Sequence, residues 1–427
     1  MKALSQDDLD ALQTALGDDA GLTRAPVEIA GAKLDATLAP GAEDALARSI
    51  AALAARGIGA VVRGGGTRDA FGNPAQRAQV VLSTQRLSGV VEVDAEEGVA
   101  RAFAGTPLSE LREAVDAAGW ALPFDPPGAR TTLGGTLAAA AIGPRHLGFG
   151  RPRDLVLGMD VVLGDGVHTR CGGRVVKNVT GYDLMKLQIG AHGSFGVISA
   201  AWLRLRPRAE CERVVAAALD ETGDAMARAV AAARLPTARV CALVDLNFGF
   251  VVESSHAPRT GWLLIVEMAG DEAAVARDSD RLSADFGAGD ATRGVIERVR
   301  SLQGENFGPA GLRFRLSVLP SRLDRVLREL PVAGAALLVY PGSGLVFARI
   351  ALDNTADGIG VERAWLAMRS AARAGSGHVV LEAAPEWAKV ARDVHGQATD
   401  EWGLARALKA RFDPAGILNP GRFVGGL

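Results

Sequence analysis

The sequence predicts an α+β fold in more than one domain, with a mostly antiparallel sheet in the second half, and three observations predict it. At 427 residues the chain exceeds what one hydrophobic core ordinarily serves. Strand-like apolar runs deliver glycine-dense turns three times in order: Val61-Val62-Arg63-Gly64-Gly65-Gly66-Thr67, Leu133-Gly134-Gly135-Thr136 and Gly190-Ala191-His192-Gly193-Ser194-Phe195-Gly196. From about Glu210 to Val394, strand and helix patterns then alternate without such turns. Glycine lets a phosphate approach main-chain N–H groups with no Cβ in the way, and threonine adds a hydroxyl. The first half therefore reads as a cradle for a large phosphate-bearing ligand.

The elements follow from spacing. Ala42 to Arg56 has helical periodicity and stops at Gly57, after which Ile58 to Val62 forms the strand that reaches the triple glycine. Val90 to Val93 and Val99 to Ala102 alternate like paired strands, Pro107 to Ala118 is a helix with proline in its first turn, and Trp120 to Leu122 is a short strand. Pro126-Pro127-Gly128 is a rigid turn. Thr131 to Thr136 opens a small-residue helix running through Ala141, whose free N–H groups would face a phosphate or a ring edge. Leu155 to Leu163 and Val167 to Thr169 flank Gly164-Asp165-Gly166, a hairpin signal, and Ala200 to Leu205 is a strand ending at Pro207. In the second half the segments are Gly261 to Glu267, Ala273 to Leu282, Leu312 to Leu319, Arg322 to Leu330, Ala335 to Tyr340, Leu345 to Ile350, Val361 to Ala374 and His378 to Glu382. They suit an α+β layer whose sheet presents one face to the first domain.

Composition narrows the function. Forty-seven basic against 49 acidic residues give a net charge of -2, with no Lys/Arg run interleaved with aromatics, which argues against nucleic acid. Cys171, Cys211 and Cys241 are widely spaced and form no C-x-x-C, against a disulfide framework or an iron–sulfur cluster on this chain and in keeping with a reducing cytoplasm. The N-terminus reads as a capped amphipathic helix without a signal-peptide core, and apolar stretches such as Leu137 to Ile142 fall far short of the roughly 20 residues of a membrane span. No amphipathic basic helix supports direct lipid binding.

The ordered turns, together with Gly143-Pro144-Arg145, the run Lys177-Asn178-Val179-Thr180-Gly181-Tyr182-Asp183-Leu184 and the terminal Asn419-Pro420-Gly421-Arg422, resemble the FAD-binding domain of the vanillyl-alcohol oxidase and p-cresol methylhydroxylase superfamily. Within it the chain resembles the E-type FAD-binding subunits of bacterial glycolate oxidases. The resemblance implies a two-subdomain PCMH-type FAD-binding domain over 1–209, an α+β cap over 210–394 and a C-terminal return, 395–427, on the FAD domain. It places Arg63, Gly64, Gly65, Gly66 and Thr67 on the pyrophosphate, and Pro127, Thr131, Leu133, Gly134, Gly135 and Thr136 beside the flavin. Asp154, Lys177, Asn178 and Tyr182 would lie along the cofactor, Gly193, Gly196, Val197 and Ile198 around adenine and ribose, and Asn419 and Arg422 at the domain seam. Tyr182 also reads as an ordinary half-buried tyrosine, and Arg422 as a cap on the tail.

Relatives that bond FAD covalently often use a histidine in or beside the first loop, which here runs Gly66-Thr67-Arg68-Asp69. His146 is the remaining candidate, and as an arginine-flanked loop residue it reads as solvated, so the expectation is noncovalent FAD. In the cap, Arg313-Phe314-Arg315-Leu316-Ser317 alternates strictly, so both arginines share a face. They are either solvated or, as in the related 2-hydroxy-acid dehydrogenases, aimed at a substrate carboxylate, with Arg315 the preferred ligand. His378, after Gly375-Ser376-Gly377, is a candidate base near the flavin, with an ordinary structural histidine as the other reading. Catalytic relatives carry paired histidines and a Glu-His-Gly that resemble a zinc site. Here the first position has His378 alone and the second reads Val394-His395-Gly396, so no catalytic metal is expected.

The resemblance implies a FAD-binding subunit of a glycolate oxidase complex that oxidises glycolate, or relays electrons from a companion D-type flavin subunit to an iron–sulfur subunit, in the cytoplasm and at the inner membrane only through partners. Two alternatives stay open: a free-standing flavin oxidase or dehydrogenase of another small hydroxy acid, and a noncatalytic assembly subunit.

Overall fold

The computed structural model describes residues 3–18, 21–174, 182–219, 222–246, 261–304, 311–330, 335–352, 358–390, 392–397 and 399–427. The first half holds two sheets. In one, Ala36–Leu38, Ala78–Ser83 and Gly59–Arg63 run parallel, with Leu22–Thr23 antiparallel at the edge. Apolar residues fill both its faces, Ala60, Val80 and Leu82 on one and Val61, Ala78 and Val81 on the other, as a parallel sheet requires. The helix Glu43–Arg56 covers the first face through Leu46, Ile50 and Leu53 and ends, as its sequence predicts, on a left-handed Gly57. The other sheet is antiparallel, in the order His168–Gly172, Val156–Val162, Val197–Arg204, Val99–Phe103, Val90–Asp94.

Two sequence expectations need correction here. The helix predicted from Thr131 through Ala141 is only Leu133–Ala138, because Ala140 turns to φ 45° and takes the chain out of helix. The Lys177-Asn178 run cannot be compared, since residues 175–181 lie outside those described.

The cap is one eight-stranded antiparallel sheet, ordered Gly289–Asp290, Cys211–Leu219, Trp262–Gly270, Ala238–Asp245, Ala335–Tyr340, Leu345–Ile350, Leu312–Ser317, His378–Ala383. Period-two alternation divides it cleanly. Leu264, Val266, Phe314, Leu316, Val379 and Leu381 pack under the helices Thr222–Ala232, Glu272–Phe286 and Gly358–Ala374. Leu263, Ile265, Leu345 and Phe347 face the other way, against Ile142 of the first half and the helix Gly294–Gly304. By the same alternation Glu267, Arg313, Arg315, Ser317 and Glu382 look toward the first domain. After the helix Glu401–Phe412 the tail returns to the parallel sheet, where the Ala60 N–H donates to Ile417 O at 2.7 Å and the Asn419 N–H to Ala60 O at 2.8 Å. Among the described residues no helix is long and apolar enough to cross a membrane.

Candidate active site

The triple glycine emerges from Gly59–Arg63 into a cleft bounded by Thr132, Gly135, His192, Asn419 and Arg422. The loop admits no larger residues. A Cβ on Gly65 would overlap the Arg130 carbonyl oxygen, one on Gly64 would overlap Thr132 Oγ1, and Gly66 sits at φ +76°. Among the described residues no protein acceptor takes the main-chain N–H groups of Gly64, Gly65, Gly66 or Thr67. Arg422, 7 % exposed, reaches the same cleft: Nη2 donates to Asp69 O and Phe71 O, while Nη1 has no partner. Unspent N–H donors, a buried guanidinium nitrogen and a loop stripped of side chains are what the pyrophosphate of FAD requires, so these residues fit that group. Arg63 lines the cleft but is held back by Asp69, its Nε 2.9 Å from Oδ2.

The second turn serves differently from the sequence expectation. Its N–H groups are already spent: Leu133 donates to Thr106 O, Gly134 to Ala104 O, Gly135 to Thr132 Oγ1 and Thr136 to Thr132 O. It therefore offers the cleft a bare surface at Gly135 and no donor set, which corrects the expected phosphate-facing N–H groups. Thr131 Oγ1 binds Gly128 O at 2.7 Å and lies 3.3 Å from Thr67 Oγ1, fastening the Pro127 turn to the first loop. The third turn is mortised into the tail. Asn419 accepts from the Val62 N–H at 3.0 Å and donates to His192 O, and Lys409 binds Ser194 O, Asp413 and Leu418 O. Gly193 lies where a Cβ would press on Asn419, and Gly196 where one would overlap Val161. Val197 and Ile198 are buried, each in a core on its own face of the strand. Asp154 is exposed and accepts from the Arg151 N–H at 3.3 Å, and Tyr182 is 90 % exposed; neither is brought to the cleft.

The domain seam is polar and specific. Arg145 grips Glu267 bidentately, both N···O distances 2.8 Å, and Arg239 Nε adds a third bond at 2.8 Å. Burial raises the Glu267 carboxyl pKa, but the bonds from Arg239 and Arg145 outweigh it and leave it below the ordinary range. His146 is not the solvated loop histidine expected. It is buried, with Nδ1 2.7 Å from Gly143 O and Nε2 2.7 Å from Ser343 Oγ of the cap, so neither nitrogen is available for a covalent link. Burial depresses its pKa to about 4. A histidine lowered in the folded state stabilises the fold above the unfolded pKa near 6.5, and that contribution is lost as pH falls toward 4. About 2 kcal/mol of stability is expected to disappear between pH 7 and 5, and the slope should flatten in His146→Asn, as measured by urea unfolding across pH.

Between cap and cleft lies a cavity of about 230 Å³ lined by Arg68, Phe71, Gln303, Arg315, Ser317 and Glu382 among others. It shares Arg68 and Ala139 with the glycine cleft. Glu382 is the extra residue of a bulge between the strand pairs Arg313↔Ala383 and Phe314↔Leu381, an irregularity that re-aims a side chain. Its Oε1 accepts from Arg315 Nε at 2.7 Å, its Oε2 lies 3.4 Å from Arg313 Nε and 3.7 Å from Arg68 Nη1. Burial raises its pKa, yet the three guanidiniums outweigh that and keep it ionised. Arg68 and Arg315 line the cavity together with Arg151, Arg153 and Lys186, against Glu382 as the acidic side chain among the lining residues, so its wall is net positive, and neither arginine of the strand is solvated on an outer face. His378 looks to the same side of the sheet, opposite Ser317, but is exposed and does not line the cavity. Sequence reading passed over Arg68 and Glu382, although a carboxylate in the apolar run Val379-Val380-Leu381-Glu382-Ala383 is itself a signal. Among the described residues no group of three or more His, Cys, Asp or Glu side chains is gathered as a metal would need.

Residues 34–172 match the model of the FAD binding domain, and 395–423 that of the C-terminal domain of FAD linked oxidases. The chain is 30% identical over 366 residues to glycolate oxidase subunit GlcE of Escherichia coli (strain K12), covering 85% of this chain and 91% of that protein. It is 27% identical to glycolate oxidase subunit GlcD of Bacillus subtilis (strain 168), over 91% of this chain and 88% of that one. To the D-lactate dehydrogenase of Archaeoglobus fulgidus it is 28% identical, over 86% of each. In fold it is similar to p-cresol methylhydroxylase with substrate bound, with a TM-score of 0.73, 16% identity, and 98% of this chain and 97% of that one covered.

Proposed function

The chain belongs to the family of FAD-linked oxidoreductases that contains the glycolate oxidase subunits, and from that premise we propose that it holds FAD noncovalently as a subunit oxidising glycolate or a similarly small 2-hydroxy acid. Residues 1–209 and the tail 395–427 would hold the cofactor, and 210–394 would cap it. The observation that carries the reading is the cavity of net positive charge beneath the cap, which shares Arg68 and Ala139 with the glycine cleft. FAD, when bound, supplies the two-electron acceptor. Arg315, fixed by Glu382, retains Nη donors for a carboxylate, and Ser317 Oγ, 3.5 Å from Nη1, stands beside it. Holding the acid there would orient its 2-carbon toward the cleft, and Phe71 and Phe347 on the cavity wall would exclude water. Electrons would leave through a separate iron–sulfur subunit, in the cytoplasm, with any membrane contact made by the partners.

The test is the visible spectrum of the purified chain, acid release of its flavin, and anaerobic addition of glycolate with and without companion subunits. Bleaching alone supports a dehydrogenase with its own pocket, and bleaching only with partners supports a relay. A protein that cannot be loaded with FAD sinks the reading. Arg315→Met is expected to raise the glycolate KM on the order of tenfold to a hundredfold with flavin content unchanged.

A further inference from the structure

We propose that Arg68, on the glycine turn of the first domain, is a second ligand of the substrate carboxylate, so that the acid is clamped between one guanidinium from each domain. This rests on the preceding reading that a small 2-hydroxy acid enters the Arg315 cavity.

Three observations point to it. Arg68 lines the cavity, and its side chain is only 17% exposed. Its guanidinium makes no hydrogen bond to any described residue, and its nearest anionic partner, Glu382 Oε2, stands at 3.7 Å, beyond hydrogen-bond reach. A guanidinium carries five N–H donors, and those of Arg68 stand open to a ligand in the cavity. Glu382 is the nearest acceptor, but its Oε1 is committed to Arg315, and its Oε2, to which no described group hydrogen-bonds, lies 3.4 Å from Arg313 Nε and out of hydrogen-bond reach of Arg68. Arg68 from the first domain and Arg315 from the cap thus both line the cavity, to whose wall Arg151, Arg153 and Lys186 add further positive charge. Burial already pulls the Arg68 pKa below its ordinary value, against the opposing charge of Glu382, as expected of a cation short of a counterion.

The arrangement has a consequence for selectivity. Two forks from two domains match two carboxylate oxygens, whereas a neutral analogue would leave both guanidiniums uncompensated. Because Arg68 follows Thr67 on the cofactor loop, the acid would also hold the cap against the cofactor domain.

The experiment is calorimetric titration of the FAD-loaded chain with oxalate, a small unreactive carboxylate, in wild type, Arg68→Met, Arg68→Lys and Arg315→Met. Arg68→Met is expected to weaken oxalate on the order of tenfold or more, and Arg68→Lys by less, since a point charge replaces the fork. Glycolamide, the neutral analogue, should bind weakly to all four proteins. Unchanged oxalate affinity in Arg68→Met at normal flavin content overturns the proposal. If Arg68→Met fails to fold, unchanged affinity in Arg68→Lys does the same. Loss of oxalate binding in Arg315→Met with none in Arg68→Met overturns the clamp alone, while wild type that binds no oxalate overturns the cavity reading beneath it.

Discussion

Gly65→Val is expected to give a folded protein that no longer retains FAD, with affinity reduced by at least ~100-fold, or about 3 kcal/mol. The reason is local. The new side chain would begin inside the Arg130 carbonyl oxygen, so either the 63–69 loop or the 128–131 turn must move. The first moves the unspent N–H groups of Gly64 to Thr67, and the second moves Thr131, whose hydroxyl ties that turn to Thr67. Gly289→Ala is the matched control, because a Cβ there meets nothing within 4 Å and the site lies at the far edge of the cap sheet. Flavin fluorescence on dilution of the loaded proteins measures both. Normal retention by Gly65→Val would show that the cofactor does not lie on this loop.

Glu267→Ala is expected to destabilise the protein by about 3–5 kcal/mol, the range for removing one partner of a buried ion pair. Glu267 is 1 % exposed and accepts from Arg145 and Arg239 together, so its loss leaves Arg145 with only Asp125, at 3.8 Å, and Arg239 with Glu212, at 2.6 Å. Arg145 belongs to the first domain and Arg239 to the cap, so the effect should reach the coupling between them as well as the total. Urea unfolding that is a single transition in wild type should split into two in the variant. Glu267→Gln, which keeps the shape and one acceptor, should fall between. A change under about 1 kcal/mol would mean that the triad is solvated in solution.

The parts of this molecule that were legible in its sequence are those where local pattern and tertiary environment agree. The helix Glu43–Arg56 with its Gly57 stop, the Gly164-Asp165-Gly166 hairpin and the cap strands Ala335–Tyr340 and Leu345–Ile350 all carry strong periodicity or turn chemistry. Strict alternation in Arg313 to Ser317 was enough to place both arginines on one face, and the apolar residues between them are the ones that pack under the cap helices. Cys211–Leu219 and Ala238–Asp245 escaped notice because alanine-rich runs read equally well as helix. His146 was misjudged because two neighbouring arginines suggest solvent, while its burial is decided by Ser343 and Tyr340, some 200 residues away in sequence. Glu382 was missed for a similar reason: alternation puts it on the face of Arg315, but the Arg68, Arg313 and Arg315 guanidiniums that surround it come from distant segments of the chain. The second glycine turn shows the converse, a motif correctly noticed whose N–H groups tertiary structure had already engaged.

If the arginine cavity abuts the flavin, oxalate added to the FAD-loaded chain should give a saturable perturbation of the flavin bands in the visible difference spectrum, tracking calorimetric binding and vanishing in Arg315→Met. Oxalate that binds, by calorimetry, without altering the flavin spectrum would place the cavity away from the flavin.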